Sequence, residues 1–145
     1  MRACLSLLAL ALLAAPLAAA PPSLESLAGR ETLRLVVTDS GMGGLSVAAD
    51  IAARGEATGA YREVEIIFAN ALFRPEAGYN SLPDRGQKIA VFNSALEALD
   101  ARHDPDAILV ACNTLSVLLP DCPIVQRGET LIEGIVDVGV EMVGE

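Results

Sequence analysis

The sequence predicts an α/β domain, a three-layer sandwich with helices on both faces of a parallel sheet. Three observations predict it. Short aliphatic and β-branched runs recur at 33–38, 63–68, 107–111 and 132–137, as expected of strands buried on both faces. Most of the segments between them have helical spacing, the βαβ pattern of a parallel sheet. The chain has 145 residues, enough for one domain. Hydrophobic residues are 17 of the first 20 and 59 of the other 125, so the apolar excess sits at the N-terminus. The remainder has an ordinary globular composition.

Residues 1–20 read as a secretion signal peptide. Met1-Arg2 gives a positive start, residues 5–13 an apolar core, and Ala18-Ala19-Ala20 a small-residue end before Pro21. The run is shorter than the roughly 20 apolar residues of a membrane span. No membrane partner is therefore expected after signal cleavage. Cys4 precedes the apolar core, which argues against a lipid anchor. The expected location is periplasmic or secreted. Residues 21–31 read as a linker, and 32–145 as the domain.

The first strand, 33–38, runs into Asp39-Ser40-Gly41. A helix over 45–54 follows, with Leu45, Ala48, Ala49 and Ala52 at helical spacing and Gly55 as its stop. The second strand, 63–68, gives way to a loop over 70–83 rich in Pro, Gly and Asn. Asp84 and Gln87 form a capping box for a helix reaching about Arg102, with Ile89, Phe92, Leu96 and Leu99 on one face. The third strand, 107–111, leads into Cys112-Asn113-Thr114. A short helix over 114–119 ends at Pro120, and a loop around Gly128 precedes the fourth strand, 132–137.

Parallel α/β sheets bind ligands beyond the carboxyl ends of their strands. Three ends here are polar, reactive or Gly-rich: Asp39-Ser40-Gly41-Met42-Gly43-Gly44, Asn70 onward, and Cys112-Asn113-Thr114. A thiol at a helix start is favoured as the thiolate by backbone N–H groups and the dipole. Cys112 is thus a candidate base or nucleophile, with a small buried hydrophobe as the plainer alternative. Asn113 and Thr114 offer donors for an anion. Asp39 can orient or deprotonate a neighbouring group, and Ser40 can donate to a carboxylate.

Other chemistries fit less well. Ser46 stands where a dinucleotide fingerprint has its third glycine, and the phosphate-loop lysine is missing, the sole lysine being Lys88. A net charge of −9 and the absence of Trp disfavour nucleic acid as a partner. His103 is the single histidine, at an expected helix end, and only Cys112 and Cys122 follow the leader. These give no metal-ligand spacing, so no metal is expected. In an exported chain the two cysteines also admit a disulfide.

Val37-Thr38-Asp39-Ser40-Gly41-Met42-Gly43-Gly44-Leu45-Ser46-Val47 resembles the opening motif F-D-S-G-x-G-G-L-S-V of glutamate racemases, in the aspartate/glutamate racemase superfamily. Val110-Ala111-Cys112-Asn113-Thr114 resembles their A-C-N-T motif. Gly78-Tyr79-Asn80-Ser81 stands where that family has its P-Y-G-x-[RKS] loop, and Gly134-Ile135-Val136-Asp137-Val138-Gly139-Val140 is similar to its G-V-V-E-P-G turn. The motifs keep the family's order.

The resemblance implies an isomerase, a cofactor-independent racemase of an acidic amino acid such as glutamate or aspartate. One thiolate removes the α-proton and a second thiol returns a proton on the opposite face. Cys112 would be the proton-transferring thiol, with Asp39 assisting it. Ser40, Asn113, Thr114, Tyr79 and Asn80 would contact substrate. The partner is then a small amino acid, with a homo-oligomer left open.

The resemblance covers the N-terminal half of a two-domain enzyme. The second thiol's C-T-H motif is not in this sequence, Cys122 lies outside any such motif, and Thr38 replaces an aromatic. Export would also separate the chain from the cytoplasmic supply of D-glutamate for the peptidoglycan cell wall. Two alternatives stand beside the racemase: a one-thiol decarboxylase or isomerase of the same superfamily, and a non-catalytic periplasmic carboxylate-binding domain.

Overall fold

The computed structural model describes residues 22–72, 74 and 77–136. The signal-like residues 1–20 and positions 137–140 of the last motif lie outside them. Four strands form one all-parallel sheet in the order β2-β1-β3-β4: β1 Thr32–Asp39, β2 Glu63–Asn70, β3 Ala107–Val110 and β4 Leu131–Gly134. A one-turn helix, α1 (Leu24–Leu27), precedes them. α2 (Gly44–Thr58) links β1 to β2, and α3 (Arg85–His103) leads from β2 to β3 on the other side of β1. α4 (Asn113–Ser116) and α5 (Pro123–Arg127) join β3 to β4. The chain is the α/β sandwich that its sequence predicts.

Strand alternation sorts the core into layers. Val37, with Leu35 beside it, packs with Ala48 and Ile51 of α2. Val36, Ile108 and Val110 face the opposite way, onto Phe92 and Leu96 of α3. Phe92 and Leu96 are fully buried, each contributing roughly 1.5–3 kcal/mol by removal of apolar area from water. Both lie on the helical face expected from the sequence. Asp84 Oδ1 accepts from the Gln87 N–H at 2.8 Å and caps the start of α3, which is one half of the capping box expected from the sequence.

Several boundaries differ, each for a local reason. The segment read as a linker contains α1, capped reciprocally by Ser23 and Ser26, and buries Leu27 against Ala107 and Leu131. Gly55 does not stop α2; it lies over Val64, and the helix continues until Gly59 takes a left-handed conformation at φ 60°. Pro123 begins α5 at a position where a proline's missing N–H costs nothing. This helix falls where the sequence suggested a loop. β4 ends at Gly134, and Ile135 and Val136 are helical where strand was expected.

Gly134 stands at that last boundary. A Cβ there would lie 2.8 Å from both Cβ and Oγ of Ser116 and 3.0 Å from Leu119 Cδ1. Ser116 is itself tied to β3, its hydroxyl donating to the Val110 carbonyl at 3.1 Å. Gly134 therefore lets α4 settle on the end of β4. Gly134→Ala should destabilise the fold by about 1–3 kcal/mol through overpacking, whereas Gly41→Ala, with open space around it, should be nearly neutral. Urea unfolding of the two variants checks this; equal midpoints would contradict it.

Candidate active site at the carboxyl edge of β1 and β3

In a sheet ordered β2-β1-β3-β4, the chain goes to one side of β1 and then to the other. The crevice for ligands in such sheets opens at that reversal, beyond the carboxyl ends of β1 and β3. Two of the polar motifs meet there. The Ala111 N–H donates to the Thr38 carbonyl at 2.8 Å, and the Ala71 N–H to the Asp39 carbonyl at 2.8 Å. These bonds carry the ladder past the strand ends on both sides of β1.

Ser40 and Cys112 come together at this point, with Oγ and Sγ 3.2 Å apart. Ser40 is half-buried. Cys112 is 9 % exposed and joins the core cluster on the α3 side. It is more enclosed than the partly open thiol expected from the sequence. Cys112 is the N-cap residue of α4, and its carbonyl accepts from the Ser116 N–H at 2.8 Å. Asn113 and Thr114 follow as exposed residues of that turn.

Asp39 is placed differently. It faces α2, where its Oδ2 accepts from the Gly44 N–H at 2.7 Å. A Cβ on Gly44 would sit 2.9 Å from Asp39 Cβ, 3.1 Å from Ala111 Cβ and 3.2 Å from Phe68 Cε2. The glycine therefore lets α2 begin directly on the sheet. Its N-cap is Gly43, which has no side chain, so Asp39 supplies the capping acceptor from five residues upstream. The structure thus brings Ser40 to the thiol and commits the Asp39 carboxylate to the helix.

Tyr79 is expected from the sequence to touch substrate, but it is only 3 % exposed. Its ring stands edge-on to Phe92 with centroids 6.1 Å apart. Burial, with Cys112 and Cys122 nearby, pushes its phenol up to about 12. Tyr79 is a wall of the thiol's surroundings, whereas its neighbour Asn80 is exposed. Cys122 is fully buried, its Sγ donating to the Leu118 carbonyl at 3.4 Å. Burial and the adjacent Asp121 push its thiol up to about 11, and Arg85 offsets part of that rise. Cys112 and Cys122 are both free thiols.

Three further residues shape this edge: the sequence marked Thr38 only as a departure from the resembled motif, and Arg85 and Asn93 not at all. Thr38 is fully buried, and its Oγ1 has no hydrogen-bond partner among the described residues. By strand alternation it shares a face with Val36, one step beneath Ser40. Arg85 donates from Nη2 to the Val117 carbonyl at 2.8 Å and to Asp121 Oδ2 at 2.6 Å. Asn93 Oδ1 accepts from the Ile124 N–H at 2.9 Å. Together the two α3 side chains hold the segment that follows Cys112. Among the described residues no group of His, Cys, Asp and Glu could hold a metal ion.

Compared with protein-family models, with curated proteins and with solved structures, the chain matches none.

Two expectations follow. Asp39→Ala should cost about 1–3 kcal/mol, because a buried N–H loses its acceptor, and Asp39→Asn should cost less. Denaturant titration checks the order, and equal losses would contradict the capping role. Cys122 and Tyr79 hold their protons more tightly in the folded chain than in the unfolded one. Stability is therefore whole below about pH 9 and is lost as pH rises towards 11 and 12. Thermal midpoints should fall across that window, and Cys122→Ala should flatten the first part of the fall. A parent midpoint that does not move between pH 9 and 11 would contradict this.

Proposed function

We propose that the chain carries one half of a thiol-based, cofactor-independent racemase site for an acidic amino acid. The observation that supports it most is the meeting of Ser40 and Cys112, 3.2 Å apart, at the β1–β3 reversal. The two motifs that resemble glutamate racemases are 72 residues apart at this pair, yet their reactive side chains share one spot.

In this reading the Cys112 thiolate removes the α-proton. The Cα–H bond breaks, an S–H bond forms, and the electron pair stays on the α-carbon. An α-proton is weakly acidic, so donors must already be in place for the developing charge. Ser40 holds the sulfur and offers its hydroxyl. Asn113 and Thr114, exposed on the first turn after the thiol, receive the substrate's polar groups, and Asn80 reaches in from the loop. Tyr79 and Phe92 wall the sulfur from water. Asp39 acts through the α2 start that it caps, and thereby sets the path of Ser40-Gly41-Met42-Gly43. Export of the chain is proposed on the leader sequence alone.

One observation favours a second reading. Cys112 is the single thiol at this edge among the described residues, Cys122 being buried on Leu118. One thiol suffices for a decarboxylase or isomerase that protonates from one face only.

Incubation with L- or D-glutamate or aspartate in deuterium oxide separates the readings. A racemase puts deuterium at Cα and yields the opposite enantiomer, whereas a decarboxylase loses carbon dioxide from its own substrate. Cys112→Ser should lower exchange by at least about a hundredfold, the usual weight of a positioned proton-transfer group, and Cys122→Ser should leave it near the parent rate. Exchange that survives Cys112→Ser would overturn the proposal.

A further inference from the structure

Thr38 lies in β1 between Ala69 of β2 and Val110 of β3, with no exposed surface. Its Oγ1 has no hydrogen-bond partner among the described residues. A buried hydroxyl in that state costs stability, and folded proteins leave few such groups unpaired. A valine would fill the position with nearly the same shape and no such cost. The resembled motif has an aromatic here, whereas this chain places a small side chain that carries a hydroxyl.

The position of the hydroxyl indicates what it serves. Residues two apart on a strand share a face, so Thr38 lies one step beneath Ser40 on the α3 side. Val110 and Cys112 face α3 too, with Ala111 between them facing α2. Thr38, Ser40 and Cys112 are thus neighbouring polar side chains in a layer made mostly of apolar ones, Val36, Val110, Phe92 and Leu96 among them. Ser40 and Cys112 meet at 3.2 Å, and Thr38 bonds to neither. One water spans a gap of this kind, and a buried water typically makes about three hydrogen bonds to groups that otherwise lack them. A thiolate only accepts, and Ser40 offers it one donor. A second donor favours the charged sulfur further.

We propose that Thr38 is a positioning residue for Cys112: through one internal water shared with Ser40, its hydroxyl steadies the Cys112 thiolate beneath the substrate site. The use of that thiolate to take an α-proton rests on the racemase reading; the hydrogen bonding does not. The other titratable groups of this core cluster are Tyr79 and Cys122, whose protons burial holds well above neutral pH. Phe92 and Leu96, which α3 brings to it, are apolar. Asp39 faces α2, and Arg85 and Asp121 are paired with each other. A pH profile taken at Cys112 near neutrality therefore reports on Cys112.

Alkylation of the full chain by iodoacetamide, read at the Cys112 peptide by mass spectrometry over a pH series, tests the proposal. Thr38→Val should lower the neutral-pH rate about tenfold relative to the plateau at high pH, the weight of one hydrogen bond to a charged group. Thr38→Ser, which keeps the hydroxyl, should restore the parent profile. A folded Thr38→Val with the parent profile and a raised urea midpoint would show a hydroxyl that is merely unpaired, and would overturn the proposal. A crystal structure of the parent decides the matter even where the valine variant fails to fold. It should show a water bonded to Thr38 Oγ1, Ser40 Oγ and Cys112 Sγ, and no water there would overturn the proposal. α-Deuterium exchange with glutamate or aspartate separates it from the racemase reading. Thr38→Val should lower kcat for exchange about tenfold at neutral pH and leave KM near the parent value. A displaced alkylation profile, with no exchange by the parent, supports the positioning and overturns the chemistry. Exchange by the parent, with an unmoved profile in the variant, overturns the positioning and leaves the chemistry standing.

Discussion

The site depends on the parallel pairing of β1 with β3. Thr38 stands opposite Val110, and the bond from the Ala111 N–H to the Thr38 carbonyl continues the ladder beyond β3. Because side chains alternate between faces, a slip of one residue would send every one of them to the other side. Cys112 would then turn towards α2 and lose Ser40. The hydrophobic alternation prevents the slip. Val36, Ile108 and Val110 are all fully buried beneath α3, and Val37 is fully buried beneath α2. The core that stabilises the domain is also what aligns the thiol with the hydroxyl.

Two neighbouring residues divide the work at the end of β1. Asp39 points to one face and satisfies the start of α2; Ser40 points to the other and meets the sulfur. Close approach on each face is made by a glycine, Gly44 on the Asp39 side and Gly134 on the Ser116 side. α3 completes the frame from the opposite chain direction, with Arg85 and Asn93 holding the segment after Cys112. The far, amino-terminal edge of the sheet is held by surface ion pairs, Arg34 with Glu65 and Arg30 with Asp106. Such exposed pairs contribute little individually, so the core and the strand ends account for most of the order.

The sheet was legible because its strands are buried on both faces and read as apolar runs, and α3 because one stripe, Phe92 and Leu96, had to face inward. The ends of elements were less legible. Gly55 carries a stop signal in the sequence, yet packing over Val64 leaves it inside α2. α5 has only five residues and no amphipathic repeat to betray it. At the site, the grouping of the Asp39-Ser40 turn with Cys112 followed from strand ends sharing one edge. The choice of Ser40 over Asp39 as the thiol's neighbour did not, since it depends on which face each residue takes. Tyr79 reads as a loop residue by its Gly and Asn neighbours, and only tertiary contact with Phe92 and the thiol cluster buries it. Arg85 and Asn93 act over more than 30 residues of sequence, a range at which local pattern carries no information.

The proposed binding of an acidic amino acid at this carboxyl edge centres on the Ser40–Cys112 pair. Amide chemical-shift mapping of the 15.1 kDa chain during titration with glutamate tests it most directly. Binding at the carboxyl edge should give saturable shifts concentrated in Ser40, Gly41, Cys112, Asn113 and Thr114, with the amino edge around Arg34 and Asp106 unmoved. Shifts centred on that amino edge, or none that saturate, would contradict it.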